Sequence, residues 1–184
     1  STSTFEGVCR SLHNWVTLGG QNLIGVGTHL KFYISNVGNY NDVTPIRATV
    51  SLSNPFTTVS GSAVVTVADS NGGYQDGDYV TFSNASAVGG LTIDGEFVVS
   101  LSVTTAAGTY NITAASNATS SATGGGTVSA ACQINVGNPF AVPIEGWGAS
   151  SWGSGAWNVG ESSTTEIRFF SQSNFGEDLI FGNN

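Results

Sequence analysis

"HNWVTLGGQNLIGVGTHLKFYI", residues 13–34, holds three short runs rich in aliphatic and aromatic side chains, broken by Gly and small polar residues. Hardly any window in it holds apolar residues at i, i+3, i+4 and i+7 without Gly or a β-branched run intervening, and the runs have the length and β-branched content of strands. "HNWVTL" (13–18), "NLIGVG" (22–27), "LKFYI" (30–34) and "VTPIRATVSL" (43–52) therefore read as one four-stranded antiparallel meander. Its links "GGQ" and "NVGNYND" carry the Gly and Asn that supply positive φ in hairpin turns. The rest of the chain lacks helical periodicity in the same way, so the predicted class is all-β.

A second group of runs follows: "SAVVTVA" (62–68), "DYVTFS" (78–83), "LTI" and "EFVVSLSV" on either side of Asp94-Gly95, "GTYNITA" (108–114) and "TVSAACQINV" (127–136). Asp94-Gly95 reads as a two-residue hairpin turn. Five or six short strands in this space predict a small barrel or sandwich, and "AASNATSSATGGG" (114–126) reads as a mobile polar loop. "NPF" occurs at 54–56 and again at 138–140, and "WVTLGGQNLIGVG" (15–27) is echoed by "FFSQSNFGEDLIFG" (169–182). The predicted organisation is a discontinuous propeller-type β-meander, 1–53 plus 137–184, around an inserted barrel-like module, 54–136. Matching half-blades would flank the insert.

Composition limits the function. The 184 residues suffice for a real core. Only 9% are charged, with 12 acids against four bases and a net charge of −8. Nucleic-acid affinity rests on Lys and Arg contacts to phosphate, so a specific nucleic-acid partner is excluded. The sequence contains no apolar run long enough to span a membrane. The Ser start without Met reads as a processed or excised chain. Cys9 and Cys132, about 120 residues apart, cannot make a zinc site without other ligands. They read as two buried free thiols, with a long-range disulfide as the alternative.

Titratable groups are sparse. His13 and His29 are the only histidines and neither neighbours a nucleophile motif, so both read as structural. Asp76/Asp78, Asp94/Glu96 and Glu177/Asp178 are carboxylate pairs beside Gly. Turn acids of this kind accept backbone hydrogen bonds; Ca²⁺ binding at Asp76/Asp78 and a glycosidase dyad are the sharper alternatives. No catalytic residue, cofactor site or metal site is predicted, and the chain is not expected to be an enzyme. The sequons at Asn84, Asn111 and Asn117 are expected to be unmodified.

In "GWGASSWGSGAWN" (146–158), Trp147, Trp152 and Trp157 stand five apart among Gly, Ser and Ala. On a strand, residues five apart point to opposite faces, which disfavours a flat sugar-stacking row. Separate anchoring of each indole against the scaffold or a neighbouring subunit is favoured, and Phe169, Phe170 and Phe175 join them as predicted interface anchors. The alternative is an adhesin or carbohydrate-binding module that grips glycan rings.

Several stretches carry a resemblance: "NLIGVGTHLKFYI", "DVTPIRATVSLSNPFTT", "GDYVTFSNASAVGGLTIDGEFVVS" with "SSATGGGTVSA", and "GWGASSWGSGAW" followed by "IRFFSQSNFGEDLIF". From about residue 10 onward the chain resembles the β-propeller structural proteins of phage virions, the tail-nozzle or tail-hub type of short-tailed phages. The resemblance implies a virion location, a role in the tail channel, and as partners copies of the chain itself and other tail proteins, with a host-surface glycan as a further one. The chain is too short for a complete propeller with an insert. It therefore reads as a fragment, or as a reduced relative whose open sheet edges are completed by identical copies.

Overall fold

The computed structural model describes residues 2–71, 73–101, 106–139 and 167–183. Among them every regular element is a β-strand. They are β1 (Cys9–Val16), β2 (Asn22–Thr28), β3 (Phe32–Asn36), β4 (Asn39–Asp42), β5 (Ile46–Ser53), β6 (Phe56–Thr58) and β7 (Val64–Ala68). Then come β8 (Tyr79–Ser83), β9 (Gly95–Val98), β10 (Thr109–Thr113), β11 (Ala122–Gly124), β12 (Thr127–Gln133), β13 (Phe170–Phe175) and β14 (Asp178–Asn183). All pairings between them are antiparallel. No closed barrel and no propeller stands among the described residues; the architecture is open sheets in two compact units, Ser1–Val43 with Val136–Asn184, and Thr44–Asn135.

In the first unit the sheet order is β1-β2-β3-β4. Its fourth strand is Asn39–Asp42, inside the stretch whose Gly and Asn content predicts a turn. The turn itself is only Val37-Gly38, joining the pair Asn36↔Asn39, with φ of 50° and 80°. Positive φ at both central residues is what a type I′ hairpin demands, but a β-branched residue conceals the signal. Val37 is 93% exposed, so its strain has no packing to offset it. Val37→Asn is expected to raise stability by about 1 kcal/mol in urea titrations.

The β13–β14 hairpin turns at Gly176-Glu177, Gly176 having φ of 63°. It packs across β1 and β2. Gly25 and Gly27 alternate on one face of β2, where a Cβ would fall 2.1 Å from Gln172 Oε1 and 2.9 Å from Phe170 Cβ respectively. The missing side chains let the hairpin approach closely enough for Phe32 to stack on Phe181, with centroids 4.1 Å apart, and to meet Phe170 at 4.9 Å. The two segments that echo each other in sequence are thus both hairpins, one laid over the other.

The second unit contains two four-stranded sheets, β10-β7-β6-β11 and β5-β12-β8-β9. Val65, Val67, Tyr110 and Ile112 from one sheet and Val80, Phe82, Val128 and Ala130 from the other fill a shared core. Strict alternation along each strand sends these residues to one face. The chain changes sheets at a corner where Asn54 N–H donates to Gly126 O (2.7 Å) and Gly126 N–H donates to Asn54 Oδ1 (3.0 Å).

Three sequence expectations are corrected here. Residues 46–53 do not extend the first meander: β5 pairs with β12, for example Val50↔Ala130, because β4 already occupies the edge beside β3. The observed unit boundaries accordingly fall at 43/44 and 135/136, not at 53/54 and 136/137. Asp94-Gly95 is not a turn between adjacent strands, since β9 pairs with β8 through Phe82↔Gly95 and Asp94 Oδ1 accepts the Ala85 N–H at 3.0 Å. Nor is 114–126 a loose loop. It contains β11, buries Ala118, and is held by Ala118 N–H to Ser62 O (2.8 Å), Thr119 N–H to Gly89 O (2.8 Å) and Thr58 Oγ1 to Ser120 O (3.0 Å).

Candidate functional site

The densest set of titratable groups lies in the second unit, where the loop after β7 meets β12. Asp69 is buried and its Oδ1 accepts both the backbone N–H (2.9 Å) and Nδ2 (2.6 Å) of Asn71. The Tyr74 hydroxyl donates to Asp69 Oδ2, and Cys132 Sγ lies 2.8 Å from the same hydroxyl. With the phenol proton committed to the carboxylate, the thiol is the donor of that second bond. The Arg47 guanidinium covers the Tyr74 ring at 5.0 Å while Nε donates to Gln133 O at 3.2 Å. Tyr110 packs its ring 4.5 Å from that of Tyr74. Its hydroxyl is buried without a hydrogen bond of good geometry, yet is close enough to Tyr74 for each to influence the other's proton.

Burial, then the Asp69 contact, pushes Tyr74 far above the usual phenol range. Burial likewise raises Tyr110 and Cys132. A thiolate rather than a thiol is the nucleophile, so the Cys132–Tyr74–Asp69 chain is a proton-holding pin for the loop, not an activated centre. No single stretch of sequence announced it; Asp69 and Cys132 meet only through the sheet.

Most of the paired carboxylates accept hydrogen bonds from backbone or side-chain amides. Asp78 Oδ2 accepts from Gln75 N–H (2.8 Å) and Asn135 Nδ2 (2.7 Å), and Asp76 Oδ1 from Leu101 N–H (2.8 Å). Glu96 Oε1 accepts from Gln133 Nε2 at 2.8 Å. Glu177 Oε2 accepts from Leu18 N–H at 3.1 Å. Several of these reach other segments of the chain instead of their own turn. Among the described residues no group of three His, Cys, Asp or Glu side chains is arranged to hold a metal. Both cysteines are free, Cys132 buried and Cys9 only half-buried.

His13 and His29 are tied into the first unit. His13 Nε2 and Asn174 Oδ1 are 3.1 Å apart. His29 latches an N-terminal strap: Val8 N–H donates to Nδ1 at 2.8 Å, Phe5 meets Tyr40 edge-on at 5.2 Å, and Thr2 bridges to Tyr40. Burial, then the nearby Arg10 charge, lowers the His29 pKa below its usual 6.5. The strap needs the neutral ring as acceptor, so the latch is intact above 6.5 and is lost as pH falls through the lower folded-state value. Hydrogen exchange at the Val8 amide, corrected for its intrinsic rate, is expected to accelerate as pH falls below 6.5. His29→Asn, which keeps an acceptor and does not titrate, should abolish that acceleration.

Trp147, Trp152 and Trp157 lie outside the described residues. The other predicted anchors diverge: Phe170 is buried in the first unit's core, Phe169 is half exposed beneath the Arg10 guanidinium (5.6 Å), and Phe175 is 79% exposed. Trp15, which the sequence reading did not single out, is a buried anchor whose Nε1 donates to Glu177 O at 3.0 Å. On β1, Ser11, His13 and Trp15 face the hairpin, with Gln172 Nε2 donating to Ser11 Oγ at 2.8 Å. Leu12 and Val16 consequently stand on the other face, beside Ile24, and all three are exposed. Phe175 and Ile180 form a second exposed apolar strip on the outer side of β13–β14.

No family model matches the chain, and no curated protein does. Among solved structures it is similar to the endosialidase of phage phi92, with 22% identity and a TM-score of 0.41 over 68% of this chain. The chain spans 18% of that protein's length.

Proposed function

We propose that this chain is a tail-associated structural component of a phage virion, working through contacts with copies of itself and with other virion proteins and performing no catalysis. The observation that carries the assembly part is the pair of exposed apolar strips on the first unit, Leu12, Val16 and Ile24 on one side and Phe175 and Ile180 on the other. Such side chains next to a weakly charged surface are the material of protein interfaces. The protonated thiol and phenols of the Asp69–Tyr74–Cys132 cluster support the non-enzymatic reading. The finer placement, a nozzle or hub component with propeller-type meanders, draws on the resembling stretches of sequence and on the β1–β4 meander, the sheet form from which blades are built.

Mass photometry of the purified chain tests the proposal: oligomers of defined size support it. A stable monomer that binds glycans in an array, with binding lost in Trp152→Ala, would replace it by the adhesin reading. If the acids line a channel, phosphate repulsion lets DNA pass without sticking. Retention of DNA on the immobilised protein at low salt would refute that role.

A further inference from the structure

Strand edges differ in how they are guarded. β4 is capped by Thr2, with Thr2 N–H to Tyr40 O at 3.0 Å and Tyr40 N–H to Thr2 O at 2.7 Å. β10 is bridged by Ser100, β9 is four residues long and β11 three. β5 keeps its one charge, Arg47, and its register shift at its first residues. It is eight residues long, lies at the end of the order β5-β12-β8-β9, and Ile46, Arg47, Ala48 and Thr49 are all exposed. Natural sheets block such an edge with a charge, a Pro or a bulge. The single charge on β5, Arg47, is turned back onto the Tyr74 ring and Gln133 O. The register irregularity opposite Cys132/Gln133 confines itself to that same end. Among the described residues, Ala48–Leu52 is left regular, uncharged and unpaired on its outer side.

We propose that this edge pairs antiparallel with the same edge of a second copy of the chain, with Val50 on the two-fold axis, fusing two four-stranded sheets into one of eight. A second copy is the occupant that the segment's own pattern fits, because two such edges meet without opposing carboxylates. Each copy carries a net −8, so association is favoured where acids are absent, and the segment from Ile46 to Ser53 contains none. A two-fold seam is self-complementary by symmetry. Val50 meets its own counterpart, Ala48 meets Leu52 on the core side, and Thr49 meets Ser51 on the outer side, where paired hydroxyls hydrogen-bond. No like charges oppose one another. The proposal deepens the assembly reading above and rests on it.

A five-residue seam is smaller than the roughly 1,600 Å² of a standard stable interface, so the pairing is concentration-dependent. Sedimentation velocity over a concentration series tests it on three proteins: the wild type, Thr49→Asp/Ser51→Asp and Thr49→Lys/Ser51→Lys. These exposed positions leave the fold unchanged, which circular dichroism verifies. The expected result is association of the wild type, a loss of at least tenfold in association constant for each variant alone, and recovery on mixing the two variants. Wild-type assembly with an undiminished Asp variant overturns the β5 seam and leaves the assembly reading standing. A wild type that stays monomeric throughout overturns both.

Discussion

Phe56→Ala is expected to lower the stability of the second unit by about 4 kcal/mol, the cost of emptying a fully enclosed aromatic site. Phe56 has no exposed surface and stands on β6 with its ring edge-on to Phe82 of β8, centroids 5.1 Å apart. It thus joins the two sheets across their shared core. The site cannot readily collapse around the loss. Gly125 approaches so closely that a Cβ there would fall 2.6 Å from Phe56 Cδ2, and its φ of 114° keeps the corner glycine-specific. Urea unfolding followed by far-UV circular dichroism gives the number. A cost under about 2 kcal/mol would mean that the sheets close over the cavity, contrary to a core of native density.

Asp69→Ala is expected to cost about 3 kcal/mol, because it removes a buried hydrogen-bonded carboxylate and leaves the half-buried Tyr74 hydroxyl without its acceptor. The Asn71 amide and the Tyr74 hydroxyl lose their partner at once. With Tyr74 released, the loop loses its link to Cys132, and alkylation of Cys132 in the folded protein should speed up alongside the fall in urea midpoint. Asp69→Asn, which keeps one acceptor oxygen, should fall between wild type and Asp69→Ala in both measurements. A loss under about 1 kcal/mol with unchanged thiol reactivity would show that the cluster does not pin the loop.

Much of the strand content was legible in the sequence. "VVTVA", "YVTFS", "TYNIT" and "TVSAACQ" became β7, β8, β10 and β12, with buried residues at every second position. The weaker strands were hidden for separate reasons. β4 follows a turn whose first central residue is Val, and β11 is a Thr between Ala and Gly, held by Thr58 and by pairing with β6 rather than by its own side chains. Phe170, expected as an interface anchor, is buried inside the first unit, and Trp15 as anchor and the Tyr74 cluster required the tertiary structure. A single Trp in a strand and a single Cys in a strand carry no local mark of their partners.

The short apolar runs without helical spacing pointed to an all-β class, as the described residues show, since the side-chain period of two is a property of neighbouring residues alone. Partner choice escaped it. Whether 46–53 joins β3 or β12, and whether Asp69 meets Cys132, depends on backbone hydrogen bonds and ring contacts between segments far apart in the chain. Any exposed edge of similar length competes for those bonds until packing closes the alternatives.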